Sequence, residues 1–229
     1  MLVKGTNIMR LYHGSINIIK KPIFGYGKKY NDYGLGFYCS ENLELAKEWA
    51  VGINNDGFVN IYEIDTTGLK ILNLNDSKYG VLHWLTILLE NRIFDIPSNI
   101  ALEAKEYLLS NFKVNYNDFD IIIGYRADDS YFAFAQDFLN GSITYKKLSE
   151  SLKLGKLGNQ IVLKSKKAFS VIKYIDSIKV EKDIYYPLKE NRDKLARREY
   201  FENKNKRQKG DITIINIIDE EMKENDPRL

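Results

Sequence analysis

The sequence is poor in the residues that build covalent or metal-held scaffolds. Among 229 residues there is one cysteine, Cys39, which excludes a disulfide framework and any four-cysteine zinc site. Two histidines, His13 and His83, are too few for a histidine-rich metal centre, so no metal is expected. Neither sign of charge dominates. The 34 basic and 31 acidic side chains leave a formal charge of +3, too little for a chain dedicated to coating nucleic acid, although local patches stay open. No apolar run reaches the roughly 18 residues of a membrane span. The first residues, Met1-Leu-Val-Lys-Gly, lack the apolar core of a secretory signal. These absences lead to the expectation of a cytoplasmic protein in a reducing compartment, with no membrane partner.

What is present fits a folded chain. Apolar residues make up 44 % and charged residues 28 %, values that exclude disorder over the whole length. The length suits one domain, or one domain with an appendage. The chain carries 27 Ile and 21 Asn, with 26 Lys against 8 Arg, a bias expected of A/T-rich bacterial coding. Tyrosine (16) far outnumbers tryptophan (2). Its flat face and polar tip suit stacking on ligand rings, although the same coding bias would also enrich it.

Periodicity and punctuation predict a mixed order of elements. Short strands are expected at Arg10–Tyr12, Phe58–Ile64, Lys70–Leu74, Asp120–Gly124, Gln160–Leu163, Val171–Val180 and Asp211–Ile218. Helices are expected at Asn42–Val51, with Ser40 as its N-cap, and at Val81–Leu89, Asn99–Ser110, Asp129–Leu139 and Ile143–Ser151. Lys20–Gly36 reads as a loop. Between Tyr186 and Lys209 nine basic and four acidic residues give a net +5, and this stretch reads as a long polar helix. Its closely mixed signs suit a salt-bridged solvated face, and its excess suits contact with nucleic acid or an acidic partner. Helices interrupt the strands in no βαβα rhythm, so the expected class is α+β rather than doubly wound.

Familiar motifs are missing. There is no P-loop, no Gly-x-Gly-x-x-Gly, no His-Glu-x-x-His and no Gly-x-Ser-x-Gly. Cys39 reads as a small buried hydrophobe. His83, on an apolar helix, reads as a packed core residue. Lys28 and Lys29 read either as a solvated pair or as phosphate contacts, and Arg126 either pairs with Asp128 and Asp129 or reaches a pyrophosphate. Three segments remain. His13-Gly14-Ser15 ends a strand with a group that can donate or accept, followed by a backbone open to close approach. Asp32-Tyr33-Gly34-Leu35-Gly36-Phe37-Tyr38 is a tight turn that presents Phe37 and Tyr38 on opposite faces. Asn159-Gln160-Ile161-Val162-Leu163 puts a polar residue at the start of an apolar strand.

In order and spacing these segments resemble the diphtheria-toxin and poly(ADP-ribose) polymerase branch of the ADP-ribosyltransferases. Gly124-Tyr125-Arg126-Ala127-Asp128-Asp129 further resembles an element of a bacterial toxin-like family of that architecture. The resemblance spans roughly residues 10–180. It implies a split β-sheet core with peripheral helices and a basic C-terminal helix, divided as a transferase-like domain (1–183) and a basic helical extension (184–229). It implies NAD as co-substrate. Gly14 would hold the nicotinamide carboxamide, His13 the ribose hydroxyls and Tyr38 the nicotinamide ring, with Ser15, Tyr33, Gly36, Arg126 and Asp128 as further contacts. His13, Tyr38 and Gln160 would be the catalytic set. The implied reaction breaks the ribose–nicotinamide bond through an oxocarbenium-like transition state and passes ADP-ribose to a protein or nucleic acid. The implied setting is a toxin of a bacterial toxin–antitoxin or phage-defence system, with an antitoxin as a further partner.

One departure is plain. The family carries a glutamate where this chain has Gln160, which can orient a ribose hydroxyl but brings no charge. Activity could persist as transfer of a single unit. Asp128 or Asp129 could supply the charge. Or the domain could be a catalytically inactive module that binds NAD, ADP-ribose or a partner protein. A relative of the RNA 2′-phosphotransferases is disfavoured, since only Arg10, Arg92 and Arg126 precede residue 192.

Overall fold

The computed structural model describes residues 7–96, 98–127, 129–156, 158–206 and 208–229. Its class is α+β, built on two open sheets. In the first sheet β1 (Ile8–Ser15) pairs antiparallel with β3 (Gly57–Asp65). The far edge of β3 pairs antiparallel with β7 (Ile172–Val180). The second sheet runs β2 (Phe37–Cys39), β6 (Asn159–Leu163), β5 (Ile121–Tyr125), β4 (Ile71–Asn73), antiparallel except for β4 against β5. A reciprocal backbone exchange links the sheets. The Tyr12 N–H donates to the Ser40 carbonyl at 2.8 Å, and the Ser40 N–H returns to the Tyr12 carbonyl at 2.9 Å.

Helix α1 (Leu43–Ala50) packs backbone-to-backbone on β1. A Cβ on Gly14 would fall 2.3 Å from the Ala46 carbonyl oxygen and 2.6 Å from the Ala50 nitrogen. Glycine is therefore a packing requirement at this position before it is anything else. Helix α2 (Val81–Asn91) is buried on every side from Val81 to Leu89, which explains why only His83 and Thr86 interrupt its apolar run. Around it lie α3 (Asn99–Asn111), α4 (Asp129–Leu139) and α5 (Tyr145–Ser151), with Trp84, Phe112, Phe134 and Phe138 filling the space between. His83 is packed there as expected. Its Nδ1 accepts the Gly80 N–H at 2.9 Å, and its Nε2 lies 3.3 Å from Glu224. Cys39 is buried in the cluster between the sheets, where burial pushes its thiol pKa up.

Several expectations are corrected. Strand β1 does not stop at Tyr12; it carries His13, Gly14 and Ser15 in register with Asn60, Val59 and Phe58. The N-cap of α1 is Asn42, which accepts from the Leu45 N–H, while Ser40 accepts from Asn42 one turn earlier. A short helix, α6 (Lys166–Val171), fills the gap before β7 and is capped by Ser165. Asp211–Ile218 is not a strand. Its core is helix α8 (Ile214–Asp219), opened by a reciprocal Thr213–Asn216 cap, and Ile214 and Ile217 are buried on one face. The basic segment is helical as expected, as α7 (Lys182–Asn203), with same-face ion pairs such as Arg197–Asp193 at 2.8 Å.

The packing at Gly14 gives a direct test. Gly14→Ala drives a methyl into helix backbone that has no rotamer to move, so it is expected to lose about 3 kcal/mol in urea unfolding, the upper end of overpacking costs. Gly52→Ala, where an added Cβ meets nothing within 4 Å, is the control.

Candidate active site

A cavity of about 830 Å³ opens where the two sheets part, within the range of roughly 300–1,000 Å³ typical of small-molecule sites. Its floor is made by the edge of β1, by β2 and by the start of β6. Tyr12 uses its backbone groups on Ser40, away from β3. Strand alternation turns the N–H and C=O of Gly14, two residues on, toward that same free edge. Gly14 thus offers a donor and an acceptor side by side at the cavity wall, and helix α1 closes the opposite side of the strand.

His13 is fixed by two contacts. Its Nδ1 lies 2.7 Å from the Tyr38 carbonyl oxygen, so Nδ1 carries the proton and donates. Its ring stacks on Phe37, with 4.4 Å between centroids. Burial pushes the His13 pKa below its ordinary value, the bond to the Tyr38 carbonyl opposes this, and the charge of Arg126 adds to the lowering. His13 is therefore neutral at neutral pH. With Nδ1 protonated, Nε2 is left as an acceptor, and His13 lines the cavity.

Tyr38 spends its hydroxyl on its own turn. It donates to the Gly34 carbonyl at 2.5 Å and accepts the Tyr33 N–H at 3.1 Å. What it offers the cavity is a ring face. Gly36 also lines the cavity, and a Cβ there would lie 2.6 Å from Val162 and 2.9 Å from the Leu163 carbonyl. Lys164 locks the turn from beneath, donating to the Tyr33 carbonyl and, at 2.8 Å, to the Leu35 carbonyl.

Gln160 is 6 % exposed at the floor of the cavity. Its Nε2 donates to Asp32 Oδ2 at 3.0 Å, while its Oε1 is buried with no hydrogen-bond partner. Asp32 is buried too. It also accepts the Ala127 N–H at 2.9 Å and faces Arg92 Nη1 at 3.4 Å. Burial pushes the Asp32 pKa up, and those three partners pull it back only in part. The floor is thus a carboxylate holding a carboxamide in one orientation, with a lone carbonyl oxygen left over.

Helix α7 forms the far wall. Arg192 makes two bonds to the buried Glu48 of α1, at 2.9 and 2.6 Å, and a third to the Gly155 carbonyl at 2.6 Å. The Trp49 ring carries the Arg126 guanidinium 4.4 Å from its centroid and the Lys189 ammonium at 4.5 Å.

Of the residues expected from the sequence, the structure brings His13, Gly14, Gly36, Tyr38, Arg126 and Gln160 into this one cavity. It does not bring Tyr33, which is fully buried with its phenol donating to the Tyr125 carbonyl at 2.7 Å. Nor does it bring Ser15, whose hydroxyl is taken up by the backbone of Asn17. Asp128 lies outside the described residues. Asp32, Arg92, Glu48, Trp49 and Arg192 were missed. For Asp32 the signal was in view, since it opens the Asp-Tyr-Gly-x-Gly turn. The others follow only from tertiary packing.

Comparison with known proteins adds a family and no chemistry. A family described as a protein of unknown function (DUF3990) matches residues 9–174, most of the chain, and the protein belongs to it. No curated protein and no solved structure matches the chain. Among the described residues no cluster of His, Cys, Asp or Glu could hold a metal ion, and no helix is long and apolar enough to cross a membrane.

Lys164 yields a pH test. Burial pushes its ammonium down from 10.5 to about 8. Between those values the folded chain holds fewer protons than the unfolded one, so this group makes stability rise with pH. Urea unfolding at pH 7.5 and 9.5 should show the wild type gaining on Lys164→Met at the higher pH. A constant difference would mean that Lys164 titrates normally.

Proposed function

We propose that the protein is an NAD-dependent mono-ADP-ribosyltransferase with the split-sheet transferase fold. The observation that supports this most is Gln160. Its unpartnered, buried Oε1 sits at the cavity floor, and a carboxylate lies directly behind its amide. A buried acceptor left unmatched costs roughly 1–3 kcal/mol, which a ligand hydroxyl would recover.

The residues present fit NAD. Gly14 offers a donor–acceptor pair suited to a carboxamide, Tyr38 a ring face suited to a pyridine, and neutral His13 an acceptor suited to a ribose hydroxyl. NAD supplies a ribose–nicotinamide bond whose rupture leaves positive charge on the sugar. Gln160 orients a ribose hydroxyl through Oε1. Asp32, fixed by the Ala127 N–H and tempered by Arg92, provides the negative charge that glutamine lacks, in a site where it does not have to reorganise. In this reading Asp32 takes the role for which the sequence offered Asp128 or Asp129. In the cell we place this activity in the cytoplasm, as the toxin of a toxin–antitoxin or phage-defence pair with an antitoxin as partner and a macromolecule as acceptor.

Nicotinamide release from labelled NAD, with and without cell lysate, tests the reading. His13→Ala and Tyr38→Ala should abolish release, and Gln160→Ala should cut it severely. Asp32→Asn should lower it about 100-fold, the scale of losing one preorganised electrostatic group. A circular dichroism melt at pH 8 checks that the variant is folded, since its amide nitrogen would face the Arg92 guanidinium. NAD binding by calorimetry with no turnover in any lysate would replace the enzyme with a nucleotide-binding module.

A further inference from the structure

The loop that leaves β1 reaches the cavity mouth as Lys20-Lys21-Pro22-Ile23-Phe24-Gly25-Tyr26-Gly27-Lys28-Lys29-Tyr30. Its base is rigid. Buried Asn60 accepts the Ile19 N–H at 2.7 Å and donates to the Asn17 carbonyl at 3.1 Å, and the Tyr62 hydroxyl donates to the Ile19 carbonyl at 2.5 Å. Its outer part faces solvent. Phe24, Tyr26 and Tyr30 are 45, 80 and 65 % exposed, and Ile23 is 66 % exposed. Pro22, Ile23, Tyr26 and Gly27 also line the cavity. None of the four lysines pairs with a carboxylate among the described residues. No acidic residue lies between Ser15 and Asp32. Lys166, from α6, adds a cation 5.8 Å from the Phe24 ring.

We infer that this loop docks a single-stranded nucleic acid and delivers one of its nucleotides to the cavity as the acceptor of ADP-ribose. The inference rests on the transferase reading above. Three separate rings interleaved with point-charge cations match a strand that alternates flat bases with phosphates. In the transfer step, the ribose–nicotinamide bond breaks with its electron pair leaving on nicotinamide. A nucleophilic oxygen or nitrogen of the docked nucleotide forms the new bond to the same ribose carbon and loses its proton to solvent, so no further reactant is needed.

Fluorescence anisotropy with labelled 12-nucleotide DNA and RNA of mixed sequence, in the absence of NAD, tests docking by itself. Binding should weaken about 100-fold in Tyr26→Ala/Tyr30→Ala, the scale of two lost base stacks. In Lys28→Ala/Lys29→Ala the slope of log K against log salt should fall by about 1.4. Circular dichroism melts of both exposed-loop variants confirm that they are folded. Equal binding by the wild type and the tyrosine variant overturns the inference. So does displacement of the oligonucleotide by poly-glutamate at the same concentration as by unlabelled strand, which would mean an acidic protein partner. Labelled NAD is then supplied with the same oligonucleotides. Label on the strand supports the inference, and label confined to lysate proteins overturns it. Oligonucleotide binding without any nicotinamide release would instead sink the transferase reading and leave the docking result standing.

Discussion

Asp32 is held by groups from three separate stretches of chain. The Ala127 N–H reaches it from just beyond β5, the Gln160 amide from the start of β6 and Arg92 from the end of α2. Burying a carboxylate is costly, and partial compensation leaves its pKa raised. The arrangement persists because those stretches are themselves pinned by the second sheet and by the apolar α2 packed against it. The same pinning sets the Gln160 amide. With Nε2 drawn to the carboxylate, Oε1 has one place to face. A glutamine that would rotate freely on an exposed strand is here a directional acceptor.

The β1 wall obeys a different constraint. A single backbone exchange between Tyr12 and Ser40 fixes which way the edge of β1 looks, and α1 pressing on Gly14 fixes how near that edge can come to a helix. His13 follows from both. Its Nδ1 goes to the carbonyl of the neighbouring strand, which leaves Nε2 as the acceptor of a residue that lines the cavity. Tyr38 obeys the same economy, since its hydroxyl closes its own turn and only its face is left for a ligand.

Much of this floor was legible in the sequence because it is local. His-Gly on a strand, a glycine turn before an aromatic pair and a polar residue opening an apolar strand are patterns of a few residues each. The class was legible from the irregular order of elements. What stayed hidden depended on distance. Glu48 and Trp49 look like ordinary helix residues until α7 lies against them, and Arg192 looks like one cation among many in a solvated helix. Asp211–Ile218 misled because five isoleucines suit a strand, whereas the Thr213–Asn216 cap and one-sided burial made it helical. Tyr33 misled in the opposite way, because adjacency to the glycine turn said nothing about which side of the sheet it would enter.

The Glu48–Arg192 clamp divides the cavity by origin. Its floor comes from residues inside the span that defines the family, 9–174, while its far wall is α7, which begins at Lys182 beyond that span. The floor and the far wall are thus carried on different stretches of sequence, held together by the Glu48–Arg192 pair, by Arg192 on the Gly155 carbonyl, by Lys189 over Trp49 and by Tyr200 on Asp137. A change confined to the cavity-facing residues of α7, such as Lys189 or Arg197, would reshape the wall of the cavity without altering any residue of its floor.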